Sequence, residues 1–397
     1  MRTCHAVVRV AHIASLVLML AIRASAAGQV IVVDPVAGPG VDFTSVSDAV
    51  LAAADGDTVL VHAGTYAASV TVSSKSLAIV AQPGDIVTIS GALEASDLAS
   101  NQLVSIAGLT LDHGLRFEND AGAVWVENCI ISGFDDVAFP WPIPDLEADG
   151  GIGVEAIDCD SVTLARCTLD GGSATAFGGS AYAGDALVSA QSRVWLFDVD
   201  AKGGHAQGCA GQCGEVPGSG AEISGGTLYL AGSTIHGYHG VQVYGQPVLW
   251  LLDSTVEATG YTWLGDQFPP IEGTASVTQL AGSERDFALD TPATEHETVT
   301  LSLNGVEGDG AWVLLGLQPT AVMSVKLHGP LMVLPPWMPV FIGVLPPGGT
   351  LALPVTLPTL DPGLETLALV LQAAFVDSSG ATWLSDPSRL VILDAAF

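Results

Sequence analysis

The sequence predicts an all-β protein made of a parallel β-helix, or solenoid, followed by a β-sandwich. The 397 residues include 46 Gly and 22 Pro, and only 13% are charged, which is typical of strands and turns. A ten-residue pattern returns six times in the middle of the chain and indicates stacked units that cannot bury their apolar faces alone. Short apolar runs separated by Gly and Pro near the C-terminus are typical of sandwich strands.

Residues 1–26 have the pattern of a secretory signal peptide. Arg2 and Arg9 precede an apolar run over Ile13–Ile22, and small residues end at Ala26, where we expect cleavage. A retained membrane anchor is the alternative, but the run is shorter than the roughly 20 apolar residues that span a bilayer. We therefore expect a secreted, cell-surface or periplasmic protein with no membrane span in the mature chain.

The segment from Val30 to Tyr66 predicts a capping strand, a short helix and a first coil. Asp42-Phe43-Thr44-Ser45-Val46 is followed by an alanine-rich stretch, and then by Asp55-Gly56-Asp57-Thr58-Val59 and Gly64-Thr65-Tyr66. The Asp-Gly indicates a turn and the β-branched run after it a strand. This order resembles the opening of the pectin-lyase-like superfamily, which includes pectin methylesterases and many members of no known activity. The resemblance implies a right-handed parallel β-helix in an exported bacterial protein, and no particular activity.

The repeat itself predicts two short strands joined by a bend. Positions 1, 3, 6 and 8 are apolar or small, and the alternation breaks phase at position 5, so both strands point these residues inward. Insertions at residues 134–150, 173–184 and 204–220 all leave after position 10, at one corner of the solenoid. Stacked loops of this kind mark a working face. The six copies start at Val104, Val124, Val162, Val194, Leu228 and Leu249.

These patterns predict a right-handed parallel β-helix over residues 29–262, a linker over 263–283 and a β-sandwich over 284–397. The C-terminal part loosely resembles a module appended to various bacterial exported proteins, which implies no activity. Its predicted strands are Val299–Leu303, Trp312–Leu317, Val340–Val344, Thr350–Thr356, Leu367–Phe375 and Leu390–Leu393.

Position 2 of the repeat points outward and is rich in aromatic residues. Trp125, Trp195, Tyr229 and Trp250 occupy it in four of the copies. A line of outward aromatic rings is a candidate carbohydrate-binding surface for the apolar faces of successive sugar rings. The alternative is an interface covered by the C-terminal domain or by a second chain, because large apolar patches are rarely left exposed.

The other outward strand is polar and carries the candidate catalytic residues Asp170, Asp200, Lys202 and His236. With coils about 4.8 Å apart, these side chains form one cluster beside the corner from which the insertions leave. Two carboxylates at such spacing suit glycoside hydrolysis, whereas a lyase needs a cation and a base, for which Lys202 is the candidate. The alternative is a solvated polar face. An enzyme predicts a cluster that faces an open groove, and a structural module predicts a dispersed or covered one.

The cysteines and acidic loops suggest further sites. Cys4 lies in the predicted signal peptide, and for Cys209 and Cys213 a loop-closing disulfide is predicted; the spacing from His205 is not that of a common zinc site. Cys129 and Cys167 share an inward column, where they are either bonded or stacked, which leaves Cys159 as the odd thiol. Candidate Ca²⁺ ligands are Asp145, Glu147 and Asp149, or Asp158 and Asp160, through carboxylates and backbone carbonyls.

The net charge of −31 opposes nucleic-acid and anionic-lipid partners. The motif sets of pectin methylesterases and polygalacturonases are incomplete, since Asp135-Asp136 and His236-Gly237 occur but no Arg-x-Lys follows. The sequence therefore predicts a non-catalytic exported protein that binds extracellular polysaccharide or assembles with other exported proteins at the cell surface. The alternative is a carbohydrate-active enzyme, a lyase or a glycoside hydrolase, acting on the polar outer face.

Overall fold

The structure, a computed structural model, describes residues 28–138, 147–177, 179–208, 214–237, 249–259, 262–264, 271–280 and 285–397. These parts are almost entirely β, as the sequence predicts. Their one α-helix, α1 (Val46–Ala52), begins after Ser45, whose hydroxyl accepts a hydrogen bond from the amide of Asp48 at 3.3 Å. Among the described residues, no helix has both the length and the apolar character to cross a membrane.

The N-terminal domain is a β-helix whose strands pair in parallel from coil to coil. The first coils contain β1 (Val30–Val33), β2 (Asp57–Val61), β3 (Gly64–Tyr66), β4 (Val70–Ser73), β5 (Leu77–Ala81), β6 (Val87–Ile89), β7 (Leu93–Ser96), β8 (Leu103–Ala107), β9 (Leu109–Leu111) and β10 (Leu115–Glu118). The later coils contain β11 (Ala123–Glu127), β12 (Ile130–Ser132), β13 (Asp136–Ala138), β14 (Ala148–Asp149), β15 (Val154–Ile157), β16 (Ser161–Ala165), β17 (Thr168–Asp170), β18 (Ala174–Ala176), β19 (Ala181–Tyr182), β20 (Leu187–Phe197), β21 (Asp200–Lys202), β22 (Ala206–Gln207), β23 (Glu215–Val216), β24 (Ala221–Ala231), β25 (Thr234–His236), β26 (Leu249–Thr259), β27 (Thr262–Leu264) and β28 (Ile271–Gln279).

Three faces enclose the core of this right-handed solenoid. The first face contains β1, β2, β5, β8, β11 and β16, the second β4, β7, β10 and β15, and the third β3, β6, β9, β12, β17, β21, β25 and β27. The long strands β20, β24 and β26 run through the corner between the first two faces and join them into one sheet.

The bend predicted at position 5 of the repeat is confirmed. Asn128, Arg166 and Asp198 occupy it with φ of 54°, 53° and 52°, a left-handed conformation that turns the chain from the first face to the third. The inward side chains on either side of the bend, such as Val124 and Ile131, are at most 1% exposed. The single left-handed residue at position 5 therefore allows the apolar side chains of both strands to point into the core.

The sixth copy of the repeat was assigned the wrong register. Position 1 of the preceding copy, Leu228, pairs with Val256, whereas Leu249 pairs with Ala221 on the second face. The backbone of Trp250 therefore lies opposite Glu222, outside the column of Tyr229. The error arises because β26 spans two faces. The strand therefore contains two apolar segments, and either one could be taken as the start of a repeat copy.

The interval predicted as a linker contains the last coil instead. β27 pairs with β25, and β28 pairs with β26, so parallel pairing continues to Gln279. The sequence pattern misses this coil because polar residues and glycine fill six of the nine positions of β28, which leaves few large apolar side chains to mark it.

The described parts of the three insertions form a lobe, which we call the fin: residues 134–138, 147–150, 173–177, 179–184, 204–208 and 214–220. Their described strands stack in parallel as two small sheets, β13-β18-β22 and β14-β19-β23. The prediction that all three leave one corner is confirmed, and they continue the solenoid's stacking outward. The core of the fin consists of Ala138, Ala148, Ala174, Ala176, Ala181 and Ala206.

The C-terminal domain contains two antiparallel sheets around its own core, as predicted. β29-β31-β36 form one sheet, and β32, β35, β37 and β38 lie in the other with the short β30. A hairpin, β33-β34, and a 3₁₀ turn complete the domain. The strands are β29 (Asp286–Ala288), β30 (Ala293–Thr294), β31 (Thr298–Asn304), β32 (Gly310–Gly316), β33 (Pro319–Ser324), β34 (Gly329–Val333), β35 (Met338–Val344), β36 (Thr350–Thr356), β37 (Thr366–Val376) and β38 (Thr382–Leu393).

Candidate functional site

The third face of the β-helix and the base of the fin together form an open polar groove. Two adjoining depressions, of about 330 Å³ and 440 Å³, make up this groove. It brings together all four residues of the predicted catalytic cluster. We define the groove by Asp112, Ser132, Asp135, Asp170, Asp200, Lys202, His205 and His236.

Strand register aligns the centre of the groove. Ser132 pairs with Asp170, Asp170 with Lys202, and Lys202 with His236. Each paired residue forms one rung of this row. Asp112 adds a fifth rung next to Ser132, because the preceding residues, Leu111 and Ile131, pair with each other. With about 4.8 Å between rungs, the row is roughly 19 Å long, which accommodates several sugar residues laid along the solenoid axis.

Asp200 and His236 form an ion pair across adjacent coils when the imidazole is protonated. Nε2 of His236 lies 2.7 Å from Oδ1 of Asp200, and the Asp200 side chain remains 60% exposed. This contact fixes the direction of the Asp200 carboxylate while leaving it accessible from the groove.

Asp170 is held in a different electrostatic environment. Burial raises the pKa of its carboxyl, and the nearby Asp200 charge raises it further, whereas Lys202 and His236 act in the opposite direction. Strand register places the Cα atoms of Asp170 and Asp200 roughly 8 Å apart, because the two residues lie one coil apart across the sheet and two residues apart along the strand.

One end of the groove has an aromatic wall. Nδ1 of His113 lies 2.9 Å from Oδ1 of Asp112, and the His113 ring stacks on Phe134 with centroids 6.3 Å apart. Oδ1 of Asp135 accepts a hydrogen bond from the amide of Ser173 at 2.7 Å. The fin therefore contributes side chains to the groove as well as a wall.

Glycines let the fin approach the third face. A Cβ on Gly171 would lie 1.9 Å from the carbonyl oxygen of Gly184, and one on Gly204 would lie 2.1 Å from that of Gly172. Any side chain at these positions would push the coils apart. The sequence shows these glycines at the insertion borders, but spacing alone does not reveal that backbone contacts require them.

The aromatic column does not form an exposed carbohydrate platform. Trp125, Trp195 and Tyr229 are 1%, 7% and 5% exposed, because they pack with Phe197 against the sandwich through residues such as Met332. This is the covered interface that the sequence offered as the alternative. The side chain of Trp250 lies outside the described residues.

A buried polar cluster at this interface was missed. Glu127 is 1% exposed, and its carboxylate accepts hydrogen bonds from Arg166, from Ser388 and from the backbone amide of Arg389. Burial alone would lower the pKa of Arg166, but the negative charges of Glu127 and Asp386 together raise it. Burial lowers the pKa of Arg389 to about 10. The only sequence signal is Glu127 itself, an acidic residue two positions after Trp125 on an outward face that is otherwise mostly apolar.

The cysteine and calcium predictions have mixed outcomes. Cys129, Cys159 and Cys167 are buried free thiols, so Cys129 and Cys167 are stacked and not bonded. Cys209 and Cys213 lie outside the described residues, and their disulfide stays a prediction.

The two acidic groups proposed for Ca²⁺ are only partly described. Asp145 lies outside the described residues, so the group of Asp145, Glu147 and Asp149 stays a prediction. Asp160 lies 3.7 Å from Arg193, and Asp158 occupies a left-handed bend. Within the part of the chain that the structure describes, no set of three His, Cys, Asp or Glu side chains is placed to hold a metal ion.

Comparisons with known proteins do not assign a family. No protein-family model matches the chain, and no curated protein is similar to it. Among solved structures, a superoxide reductase (neelaredoxin) from Ignicoccus hospitalis is similar over 28% of this chain and 80% of its own, with 10% identity and a TM-score of 0.17. At that score the similarity supports no statement about fold or function.

Proposed function

We propose that this chain is an exported protein of the pectin-lyase-like superfamily that binds a polysaccharide in the polar groove. The observation that carries the proposal is the in-register row of Asp170, Lys202 and His236, with Asp200 beside it, on an open surface. The row presents both hydrogen-bond donors and acceptors and is long enough for several sugar residues. The covered aromatic face leaves the groove as the accessible surface for such a ligand.

The charge of the groove selects the class of polysaccharide. Asp112, Asp135, Asp170 and Asp200 outnumber Lys202, and the whole chain carries −31. A polyuronate would be repelled by this field. A neutral polysaccharide, or one that carries amino groups, is therefore the ligand class that the groove fits.

A binding screen tests this function. The purified protein is titrated with neutral, amino-substituted and uronate polysaccharides, and we expect affinity for the first two classes only. Lys202→Ala and Asp200→Asn should each weaken binding by about tenfold, the effect of losing a charged hydrogen bond. Glu94→Gln, on the second face, is the matched control. Tightest binding to polyuronates, or equal loss in Glu94→Gln, would contradict the proposal.

A second candidate function, hydrolysis of the bound glycan, is favoured by the two carboxyl groups of Asp170 and Asp200 in one groove. The raised pKa of Asp170 suits a general acid, and Asp200, oriented by His236, suits a base that activates water. Inverting glycosidases use such a pair of carboxyl groups with room for a water molecule between them. Asp170 would protonate the leaving oxygen while Asp200 takes a proton from the attacking water.

Product analysis separates the two functions. Hydrolysis predicts new reducing ends with inverted anomeric configuration, abolished in Asp170→Asn while binding persists. Binding without any cleavage in the native protein would leave the groove as a binding site alone. Unsaturated ends would instead indicate the lyase alternative, with Lys202 as the base.

A further inference from the structure

A second cavity lies between the two domains, away from the polar groove. It has a volume of about 150 Å³, and strands β24 and β26 of the β-helix face the sandwich across it. Cavities of this size hold a small organic group, and domain interfaces are common places for ligand sites.

Aromatic rings line the β-helix side of the cavity. Phe197 and Tyr229 lie with centroids 5.6 Å apart and planes tilted by 46°, and both residues line the cavity. On the sandwich side Trp383 is clamped between neighbours, with His328 stacked at 4.2 Å and the guanidinium of Arg285 4.7 Å from the ring centre. Contacts within the protein thus hold the aromatic side chains of the cavity lining in place.

Two acidic side chains, Glu257 and Asp386, line the cavity. Asp386 is 3% exposed, and its charge also acts on the Arg166 guanidinium. The one guanidinium in the lining, Arg285, pairs with the buried Asp309 at 2.8 Å. A ligand in this space therefore meets aromatic faces and carboxylates, the combination that attracts an organic cation.

His328 supports the interpretation of a built site. It ends the 3₁₀ turn in a left-handed conformation, with φ of 44° and ψ of 53°, which is unfavourable for a residue with a side chain. The conformation places the imidazole in the cavity wall against Trp383. Local backbone strain of this kind clusters at ligand sites.

We propose that this interdomain cavity binds a small alkylammonium compound through Phe197, Tyr229 and Glu257. The cation would rest on the two aromatic rings, and the Glu257 carboxylate would balance its charge. The proposal does not depend on the function of the polar groove, because the two sites share no residue.

Choline tests the proposal against its neutral isostere, in which carbon replaces the quaternary nitrogen. Calorimetric titration of the whole protein should show choline bound at least roughly tenfold more tightly than the isostere. Equal affinities would mean that the cavity recognises shape and not charge, and no binding of either would mean that it holds water only. Binding to phosphatidylcholine vesicles without binding of free choline would place recognition at a lipid surface. Each of these three results would overturn the proposal.

Two variants locate the site. Glu257→Gln should reduce choline affinity by roughly tenfold, and Ala231→Leu, which adds volume in the cavity wall, should abolish binding without removing a charge. Glu307→Gln, on an exposed sandwich loop, removes one charge elsewhere and should leave affinity unchanged. Thermal unfolding of each variant confirms that it folds. Undiminished choline binding in folded Ala231→Leu would contradict the assignment.

Discussion

The backbone amide of Arg389 donates a hydrogen bond to Oε2 of Glu127 at 2.9 Å, across 262 residues of chain. The same carboxylate accepts a hydrogen bond from Nε1 of Trp125 at 2.8 Å. One acidic residue thus joins an aromatic side chain of the solenoid to the last strand of the sandwich. This contact fixes how the two domains are aligned, and it explains why the aromatic face is closed to ligands.

Removing the Glu127 carboxylate should destabilise the protein strongly. Glu127→Ala removes the carboxylate that is hydrogen-bonded to the half-buried guanidinium of Arg166 and that lies near the guanidinium of Arg389, and losing one partner of such a pair costs about 3–5 kcal/mol. Chemical denaturation measures the change in the free energy of unfolding. Glu118→Ala, which removes a partner of Arg116 from the exposed second face, should cost less than about 1 kcal/mol; similar losses in both variants would show that the buried contacts are unimportant.

Trp195 should contribute to stability and not to glycan affinity. Trp195→Ala removes a side chain that is 7% exposed and should lower the free energy of unfolding by about 3–5 kcal/mol. Polysaccharide affinity, measured below the unfolding transition, should remain that of the native protein. The exposed Trp312 serves as the control for loss of an indole. A folded Trp195→Ala protein with lost glycan binding would instead support the aromatic platform.

The base of the fin should tolerate no side chain. In Gly171→Ala the new methyl group meets the Gly184 carbonyl oxygen at 1.9 Å, so the coils must separate. We expect faster hydrogen exchange in residues 173–184, and weaker glycan binding because the groove widens. Gly38→Ala, where a Cβ meets nothing within 4 Å, is the matched control. Unchanged exchange in the fin would show that the close approach is not needed.

Asp120 should make stability depend on pH. Burial raises the pKa of its carboxyl to about 6, with Asp97 adding to the effect and the Leu98 amide opposing it. Because the folded pKa exceeds the unfolded value of about 3.9, this group's contribution to stability is complete below pH ~4 and is lost as the pH rises through about 6.

Asp120→Asn removes that titration. The variant should be more stable than the native protein at pH 7 by on the order of 1–2 kcal/mol, and equal to it near pH 4. Parallel denaturation series at the two pH values measure the difference. A stability difference that is the same at both would rule out Asp120 as its source. Asp185, whose pKa burial also raises to about 6, continues to titrate in both proteins.

The repeat made most of the solenoid predictable, because inward columns and a bend at position 5 are local properties. The same reasoning aligned Asp170, Lys202 and His236, since strand register carries a position from one coil to the next. The reasoning failed at Trp250 because β26 runs continuously from one face to another. It failed in β28 because polar residues replace most of the apolar ones. The repeat pattern therefore predicts the strand register only where successive coils bend at the same position of the repeat.

Contacts between distant parts of the chain were beyond the sequence pattern. Nothing near Glu127 indicates that Ser388 and Arg389 will surround it, and nothing near Phe197 indicates the cavity beneath Trp383. His205, whose sequence spacing to the cysteines indicates no common zinc site, lies in the polar groove. Such placements depend on domain packing and on the stacking of the fin.

The most direct test of the account is a hydrogen-exchange footprint of the protein with and without the polysaccharide that it binds best. The polar-groove account predicts protection in residues 168–173, 200–207 and 234–236, with the second face and the sandwich unchanged. Protection confined to the second face or the sandwich, with none on β17, β21 or β25, would contradict the central claim that the glycan lies in this groove.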